Sequence, residues 1–273
     1  MELPVNHFKH ALKAGKPQIG IWSSLSSHIV AEILGHSGVD WVLLDCEHSP
    51  NELPMVMNQL HAMQGGTAAP VVRVPWNDTV AIKRVLDAGA TTLLVPFVQT
   101  PDEARRAVAA MRYPPEGVRG VASGGRASRF GTLPNYLATA NRGMSVIAQL
   151  ETPQAIERLE DIAAIEGVDA LFLGPADLSA SMGHLGHFTH PAVMDLMAQA
   201  VRRCKGLGMP VGTVGGTPEV VAQYRAVGFD YVAIASDLSL LMRSAQAAIA
   251  ALRTKGSEHV HTLASGTQTG PGG

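Results

Sequence analysis

The chain is short of charge, cysteine and aromatic side chains, and each shortage removes a class of protein. Only 16% of its 273 residues are charged and the formal net charge is −2. Acidic and basic residues are interspersed, so the chain lacks the basic patch that a nucleic acid or an anionic membrane surface needs. Two cysteines, Cys46 and Cys204, form neither a CxxC pair nor a disulfide framework. A reduced, cytoplasmic protein is expected. No apolar stretch approaches the roughly 20 residues of a spanning helix. The N-terminal "MELPVNHFKHALKAGK" has basic residues but neither an apolar segment nor a small-residue cleavage site, so no signal peptide is expected. The GxGxxG turn of a doubly wound dinucleotide fold is missing too; "WSSLSS" stands after the first strand.

What the chain does have is core. Apolar residues make up 46% of it, and short β-rich runs alternate with segments of helical period almost from end to end. Strands are predicted at 18–23, 40–45, 70–74, 91–97, 145–151, 168–174, 209–214 and 229–235. Between them lie helical patterns such as "TVAIKRVLDAG" and "PDEARRAVAAMR", many opening on Thr, Ser, Asp or Pro and closing on Gly. Continuous apolar strands followed by amphipathic helices imply parallel strands covered on both faces. Eight such units make an α/β fold of the (β/α)₈ TIM-barrel kind, which takes about 250 residues. The reading is one barrel domain over 1–253 and a disordered tail over 254–273, where "SEHVHTLASGTQTGPGG" loses apolar periodicity. One stretch breaks the rhythm: "RYPPEGVRGVASGGRASRFG", 112–131, is a long connection rich in Gly, Pro and Arg. Loops of this length are functional, interfacial or disordered, and the sequence leaves all three open.

Catalytic residues of a β/α barrel sit at the C-terminal ends of its strands. Those ends carry Asp45, Glu47 and His48 after the second strand, Arg73 in the third, Glu151 after the fifth and Asp177 after the sixth; the seventh runs into "GTVGGT". A charge inside "VVRVP" is costly without a partner, so Arg73 points to an anion or carbonyl site. Glu151 closes an apolar strand. Asp177 is either functional or a helix cap, and Asp237 in "ASDLS" is expected to be a cap. Side chains alternate along a strand, so Cys46 faces away from Asp45 and is not the nucleophile. His184, His187 and His190 have the spacing of a metal cluster, but they lie in a Gly-rich stretch without an acidic partner and read as surface or lid. Two carboxylates from adjacent strands suit a hard divalent cation such as Mg²⁺ or Mn²⁺, completed by water and substrate oxygens. A Schiff-base enzyme needs a desolvated lysine at a strand end; the nearest, Lys83, falls in the third helix.

The motifs "DWVLLDCEHSPN", "VRVPWND", "LDAGATTLLVPFVQTPDEAR", "RYPPEGVRG", "QLET" and "EGVDALFLGPADLSASMG", in that order, closely resemble those of HpcH/HpaI class II pyruvate aldolases. The resemblance runs from about residue 5 to 253. It is strongest to the 4-hydroxy-2-oxoheptane-1,7-dioate branch, with 2-keto-3-deoxy sugar-acid aldolases close behind. The resemblance implies a divalent metal (Mg²⁺, Mn²⁺ or Co²⁺) held by Glu151 and Asp177. It implies a pyruvate carboxylate framed by Gln149 and the backbone around Gly174, Pro175 and Ala176. Arg73 would stabilise the enolate oxygen, and His48, supported by Asp45 and Asp87, would serve the proton transfers. The family also implies a homo-hexamer, a trimer of dimers that exchange the last helix, here about 237–252. The expected reaction is reversible cleavage of a 4-hydroxy-2-oxo acid into pyruvate and an aldehyde such as succinate semialdehyde.

This chain departs from its relatives at Cys46, where they carry Gly, and at Gly215 and Gly216 of "TVGGT", which loosen the seventh-strand mouth and leave the aldehyde open. A citrate lyase β-like enzyme would want a basic groove of nucleotide size, which is not evident. A non-catalytic 2-oxo acid binder would take up metal and pyruvate without exchanging the methyl protons.

Overall fold

The computed structural model describes residues 5–264, with side chains through Arg253. Eight parallel strands close in sequence order: β1 (Gln18–Ser23), β2 (Trp41–Asp45), β3 (Ala69–Arg73), β4 (Thr92–Val95), β5 (Ser145–Leu150), β6 (Val168–Leu173), β7 (Val211–Val214) and β8 (Tyr231–Ser236), with β8 pairing back onto β1. The barrel expected from the apolar rhythm is therefore the fold. Every residue of β2 and of β5 is buried, as strands covered on one side by helices and filled on the other must be.

The helices start where local chemistry allows. Thr100, Thr152 and Thr217 each stand before a proline, and each hydroxyl accepts from an amide three residues on, at 3.2, 3.1 and 3.4 Å. Proline suits the first helical position because its missing N–H would lack an intrahelical partner anyway. At Thr100 the bond is reciprocated by Glu103, whose carboxylate accepts from the Thr100 amide at 3.1 Å.

Inside the barrel, large and small side chains interlock. A Cβ on Gly20 would fall 2.2 Å from the Trp41 ring, and one on Gly212 would fall 2.2 Å from the Tyr231 ring. Glycine at both positions is what lets those two rings fill the lumen. The helix His7–Lys13 had no counterpart in the sequence reading. Its Phe8 packs edge-on against Trp41 and Tyr231 with ring centroids 5.8 and 5.4 Å away. Asn6, at its N-cap, donates to Thr92 and to the Gly143 carbonyl, which pins the helix across the N-terminal end of the strands.

The described residues up to Asp237 form one compact unit and a second begins at Leu238. The second carries the helix Asp237–Ala264 from its second residue on, and Leu241, Met242, Ile249 and Leu252 are exposed along it. Of the tail expected from 254 onward, residues 254–264 continue this helix and residues 265–273 lie outside the described residues. Among the described residues, no helix is long and apolar enough to cross a membrane.

Candidate active site

Strand periodicity builds the site. Leu43, Val71 and Ile147 belong to the apolar cluster that fills the lumen. Side chains two residues apart share a face, so the next inward positions are Asp45, Arg73 and Gln149. A polar layer thus sits directly above an apolar one, at the C-terminal mouth.

Register then pairs the first two. Asp45 and Arg73 are directly opposed across β2 and β3. Arg73 donates through Nε to Asp45 Oδ1 at 2.7 Å and through Nη2 to Oδ2 at 2.8 Å, a bidentate fork. Its Nη1 meets Glu47 Oε2 at 2.6 Å, and the guanidinium carbon lies 5.0 Å from the centre of the Trp22 ring. Burial pushes the Asp45 carboxyl up, but hydrogen bonds and charge from Arg73, with the Glu47 amide and Trp22, outweigh it and hold the group below its ordinary value. Asp45 also organises the following turn: Oδ1 accepts from the amides of Glu47 and His48 at 3.0 and 3.5 Å, and Oδ2 from the Ser49 hydroxyl at 3.3 Å.

Glu151 is only 2% exposed. It accepts from Gln149 Nε2 at 2.5 Å and from the Phe97 amide at 3.0 Å. Burial, then the charges of Glu47 and Asp177, push its carboxyl up to about 8, although the Phe97 amide and Arg73 pull the other way. Glu47 is raised too, first by burial and further by Asp45 and Asp177. Asp177 lies exposed in the first turn of the helix Pro175–Ser181, and its carboxylate does not serve as a side-chain cap there. The capping alternative for Asp177 is thus not what the geometry shows. A Cβ on Gly174 would come within 2.6 Å of Glu151 Oε1 and 3.0 Å of Gln149 Nε2, so glycine is what allows β6 to approach that carboxylate so closely.

Three carboxylates, Asp45, Glu47 and Glu151, therefore gather around one guanidinium, with Asp177 acting on the latter two. The surplus of buried negative charge, and the Gln149 carbonyl oxygen left without a hydrogen-bond partner, form an oxygen-rich cradle that fits a hard divalent cation. Among the described residues no three His, Cys, Asp or Glu side chains are already arranged as a metal cluster. A cation here would take its remaining ligands from water or substrate.

His48 stands at the rim with 65% of its side chain exposed, its Nε2 3.8 Å from Glu47 Oε1. Burial, aided by the charge of Asp45, pushes the Cys46 thiol up to about 12, which disfavours the thiolate a nucleophile would need. The rings of His184 and His190 stack 3.6 Å apart, and His190 Nδ1 accepts the Ala192 amide. Asp237 reaches back to the first strand, accepting from the Ser23 hydroxyl and the amides of Ser24 and Leu25.

One expected member does not join the others. Asp87 is the last residue of the helix Thr79–Asp87, and its Oδ1 accepts from Arg119 Nη2 at 2.7 Å. A helix that follows a barrel strand returns to the strands' N-terminal end, so Asp87 and His48 lie at opposite ends of the barrel. The support of His48 by Asp87 is not made within one chain. The same topology places the irregular connection 112–131 at the N-terminal end. There Arg119, fully buried, stacks 4.4 Å from the centre of the Tyr113 ring, and Arg126 donates to the Ala88 carbonyl at 2.8 Å.

Three contributors escaped the sequence reading: Trp22 beside Arg73, Glu47 as a second anchor of that arginine, and Phe97 through its amide. Trp22 was legible as the last large residue of β1, but a backbone donor leaves no trace in side-chain identity.

Residues 18–244 match the family described as HpcH/HpaI aldolase/citrate lyase. The chain is 48% identical over 254 residues to a pyruvate aldolase of Rhizobium etli, covering 93% of this chain and 100% of that one. It is 46% identical over 241 residues to a 5-keto-4-deoxy-D-glucarate aldolase of Salmonella arizonae, covering 88% and 94%. A crystal structure of an HpcH/HpaI aldolase/citrate lyase family protein from Burkholderia cenocepacia superposes with a TM-score of 0.88 at 42% identity, covering 91% of this chain and 100% of that one. The polar mouth, the closed barrel and these likenesses agree: the chain is a carbon–carbon lyase that belongs to the HpcH/HpaI aldolase/citrate lyase family.

Proposed function

We propose that the chain cleaves a 4-hydroxy-2-oxo acid reversibly into pyruvate and an aldehyde, with a divalent cation held by Glu151 and Asp177. The observation that carries this reading is the buried Glu151 carboxylate, crowded by Glu47 and Asp177 and facing an arginine that is itself immobilised. A relative that acts on 5-keto-4-deoxy-D-glucarate supports placing sugar-acid substrates first. The 4-hydroxy-2-oxoheptane-1,7-dioate reading, first on motif likeness alone, takes second place.

A divalent cation at this site supplies positive charge to a substrate oxygen as it becomes anionic. The protein's own residues do the rest. Arg73, clamped by Asp45 and Glu47, keeps further N–H groups on Nη1 and Nη2 for the C2 oxygen, and donors fixed in advance need no reorganisation as charge develops. His48 Nε2 takes the proton of the C4 hydroxyl; the C3–C4 bond breaks and its electron pair moves to the C2 oxygen, giving the enolate of pyruvate. A proton returned to C3 gives pyruvate, and imidazole is the side chain best suited to both transfers near neutral pH. Gln149 and the backbone around Gly174, Pro175 and Ala176 frame the carboxylate. Asp45 acts by holding Arg73 and the turn that carries His48.

Deuterium exchange into the methyl group of pyruvate tests the reading without knowledge of the aldehyde. Exchange followed by NMR in D₂O is expected with Mg²⁺ or Mn²⁺ and is expected to stop on adding EDTA. Exchange that is indifferent to EDTA would remove the cation from the mechanism. Its complete absence, with pyruvate bound, would leave a binder.

The reading includes a homo-hexamer, a trimer of dimers that exchange the helix beginning at Asp237. Its support is the row of exposed Leu241, Met242, Ile249 and Leu252, since contiguous apolar surface marks an interaction site. Sedimentation equilibrium should return about six chain masses, and a monomer at micromolar concentration would refute it.

A further inference from the structure

Two large rings stand exposed at the mouth, and the lyase chemistry described above gives them no task. Trp76 is 54% exposed and Phe97 is 39% exposed, yet they stack on one another, with ring centroids 5.8 Å apart and planes 26° from parallel. Trp76 follows β3 and Phe97 follows β4, so both rise from the C-terminal strand ends. Phe97 has φ of +52°, a region that bulky side chains seldom occupy and that marks functional sites when the surroundings enforce it. The two contacts of Phe97 explain the enforcement: its amide donates to Glu151 at 3.0 Å while its ring lies on Trp76. One residue thus joins the buried carboxylate of the pyruvate half to an apolar wall at the rim.

We infer that the Trp76–Phe97 stack is the wall against which the aldehyde half of the substrate packs, making it specificity-determining for aldehydes with a flat or apolar face. This rests on the lyase reading and, for the same site, adds planar or apolar aldehydes as acceptors beside the polar aldehydes of sugar acids. The polar layer proposed to hold the pyruvate half, Arg73, Gln149 and Glu151, is buried; the aldehyde half must then lie outward, toward the strand ends where these rings stand. An aromatic surface there contributes by stacking on planar groups and by apolar contact with carbon chains. In the synthetic direction pyruvate gives up a methyl proton, the C3–C4 bond forms to the aldehyde carbon, and the aldehyde oxygen takes up a proton, so the addition is balanced without a further reactant.

The test compares benzaldehyde with glycolaldehyde as acceptors for pyruvate in the presence of Mg²⁺, using wild type, Trp76→Ala and Trp76→Phe. Trp76 is half exposed, so its removal leaves the core packing in place. The ratio of kcat/KM for benzaldehyde to that for glycolaldehyde is expected to fall about fivefold in Trp76→Ala, the order that one aromatic contact provides. Trp76→Phe should restore most of it. An unchanged ratio, or a ratio that falls equally in both variants, would overturn the inference. Pyruvate exchange in the wild-type enzyme separates the two levels. Exchange present with an unchanged ratio refutes the wall alone, and exchange absent refutes the lyase reading together with it.

Discussion

Glu151→Gln is expected to lower the rate of metal-dependent pyruvate exchange by about a thousandfold or more while the protein stays folded. The glutamine keeps the shape and one acceptor oxygen, so the Phe97 amide, 3.0 Å from the native carboxylate, keeps a partner. What goes is the charge. Lewis-acid stabilisation of a developing anion is worth several kcal/mol, and each 1.36 kcal/mol is about tenfold in rate, which sets the size of the effect. In the metal-free protein burial, then Glu47 and Asp177, push this carboxyl up to about 8, so folding works against its ionised form near neutral pH and the glutamine removes that penalty. The melting temperature of the metal-free protein is therefore expected to be unchanged or raised. A catalytic carboxylate of this kind is tolerated for function and not for stability. Mn²⁺ titration followed by electron paramagnetic resonance, alongside exchange by NMR, checks both halves. Full exchange with tight Mn²⁺ binding in the variant would refute the assignment of Glu151.

Arg73→Ala should fail in the opposite way, in stability as well as in rate. The guanidinium is almost fully buried, with both Asp45 oxygens bonded to it and Glu47 at 2.6 Å. Removing one partner of a buried pair costs about 3–5 kcal/mol, because the other charge is stranded. For a chain of this size that is on the order of 10 °C in melting temperature. Exchange should be weakened as well, since the fixed donors for the enolate oxygen are gone.

The pH dependence has a definite sign. In the wild type Asp45 is held below its ordinary 3.8, so its contribution is present above that value and is lost as pH falls through the lower folded value. In Arg73→Ala burial, the largest influence on Asp45, is opposed only by the smaller pulls of the Glu47 amide and Trp22, and Asp45 is expected to rise above its unfolded value. Its protonated form is then favoured by folding, and the variant should gain stability as pH is lowered from 7 toward 5. The double variant Asp45→Asn/Arg73→Met should recover much of the lost melting temperature and none of the exchange. Melting curves at pH 7 and pH 5 decide it; an Arg73→Ala protein that melts with the wild type at both would refute the stranded-charge account.

Much of this site could be read from the chain because strands carry a period of two. In "WVLLD", "APVVR" and "SVIAQL" the apolar lumen residues Leu43, Val71 and Ile147 are each followed two positions later by a polar one. A buried strand has no reason to end that way unless its mouth does chemistry. Glu151 and Asp177 were legible by the same logic, from strand ends. Asp87 was not, since a likeness of motifs says nothing about which end of a barrel a helix terminus reaches. The connection 112–131 was ambiguous for the same reason: its composition suggests function, while its place after a helix puts it at the strands' N-terminal end.

Alternation of apolar strands and amphipathic helices, Thr-Pro helix starts and polar strand ends were sufficient to specify a (β/α)₈ barrel and most of the polar residues gathered at its mouth, because these features act over a few neighbouring positions. Three features were settled only by the closed barrel: the bidentate Asp45–Arg73 fork set by strand register, the Phe97 amide on Glu151, and the Trp76–Phe97 stack. Each brings together groups from different strands or loops, and such contacts depend on how far each strand is shifted against its neighbour, a quantity that no single segment of the chain encodes.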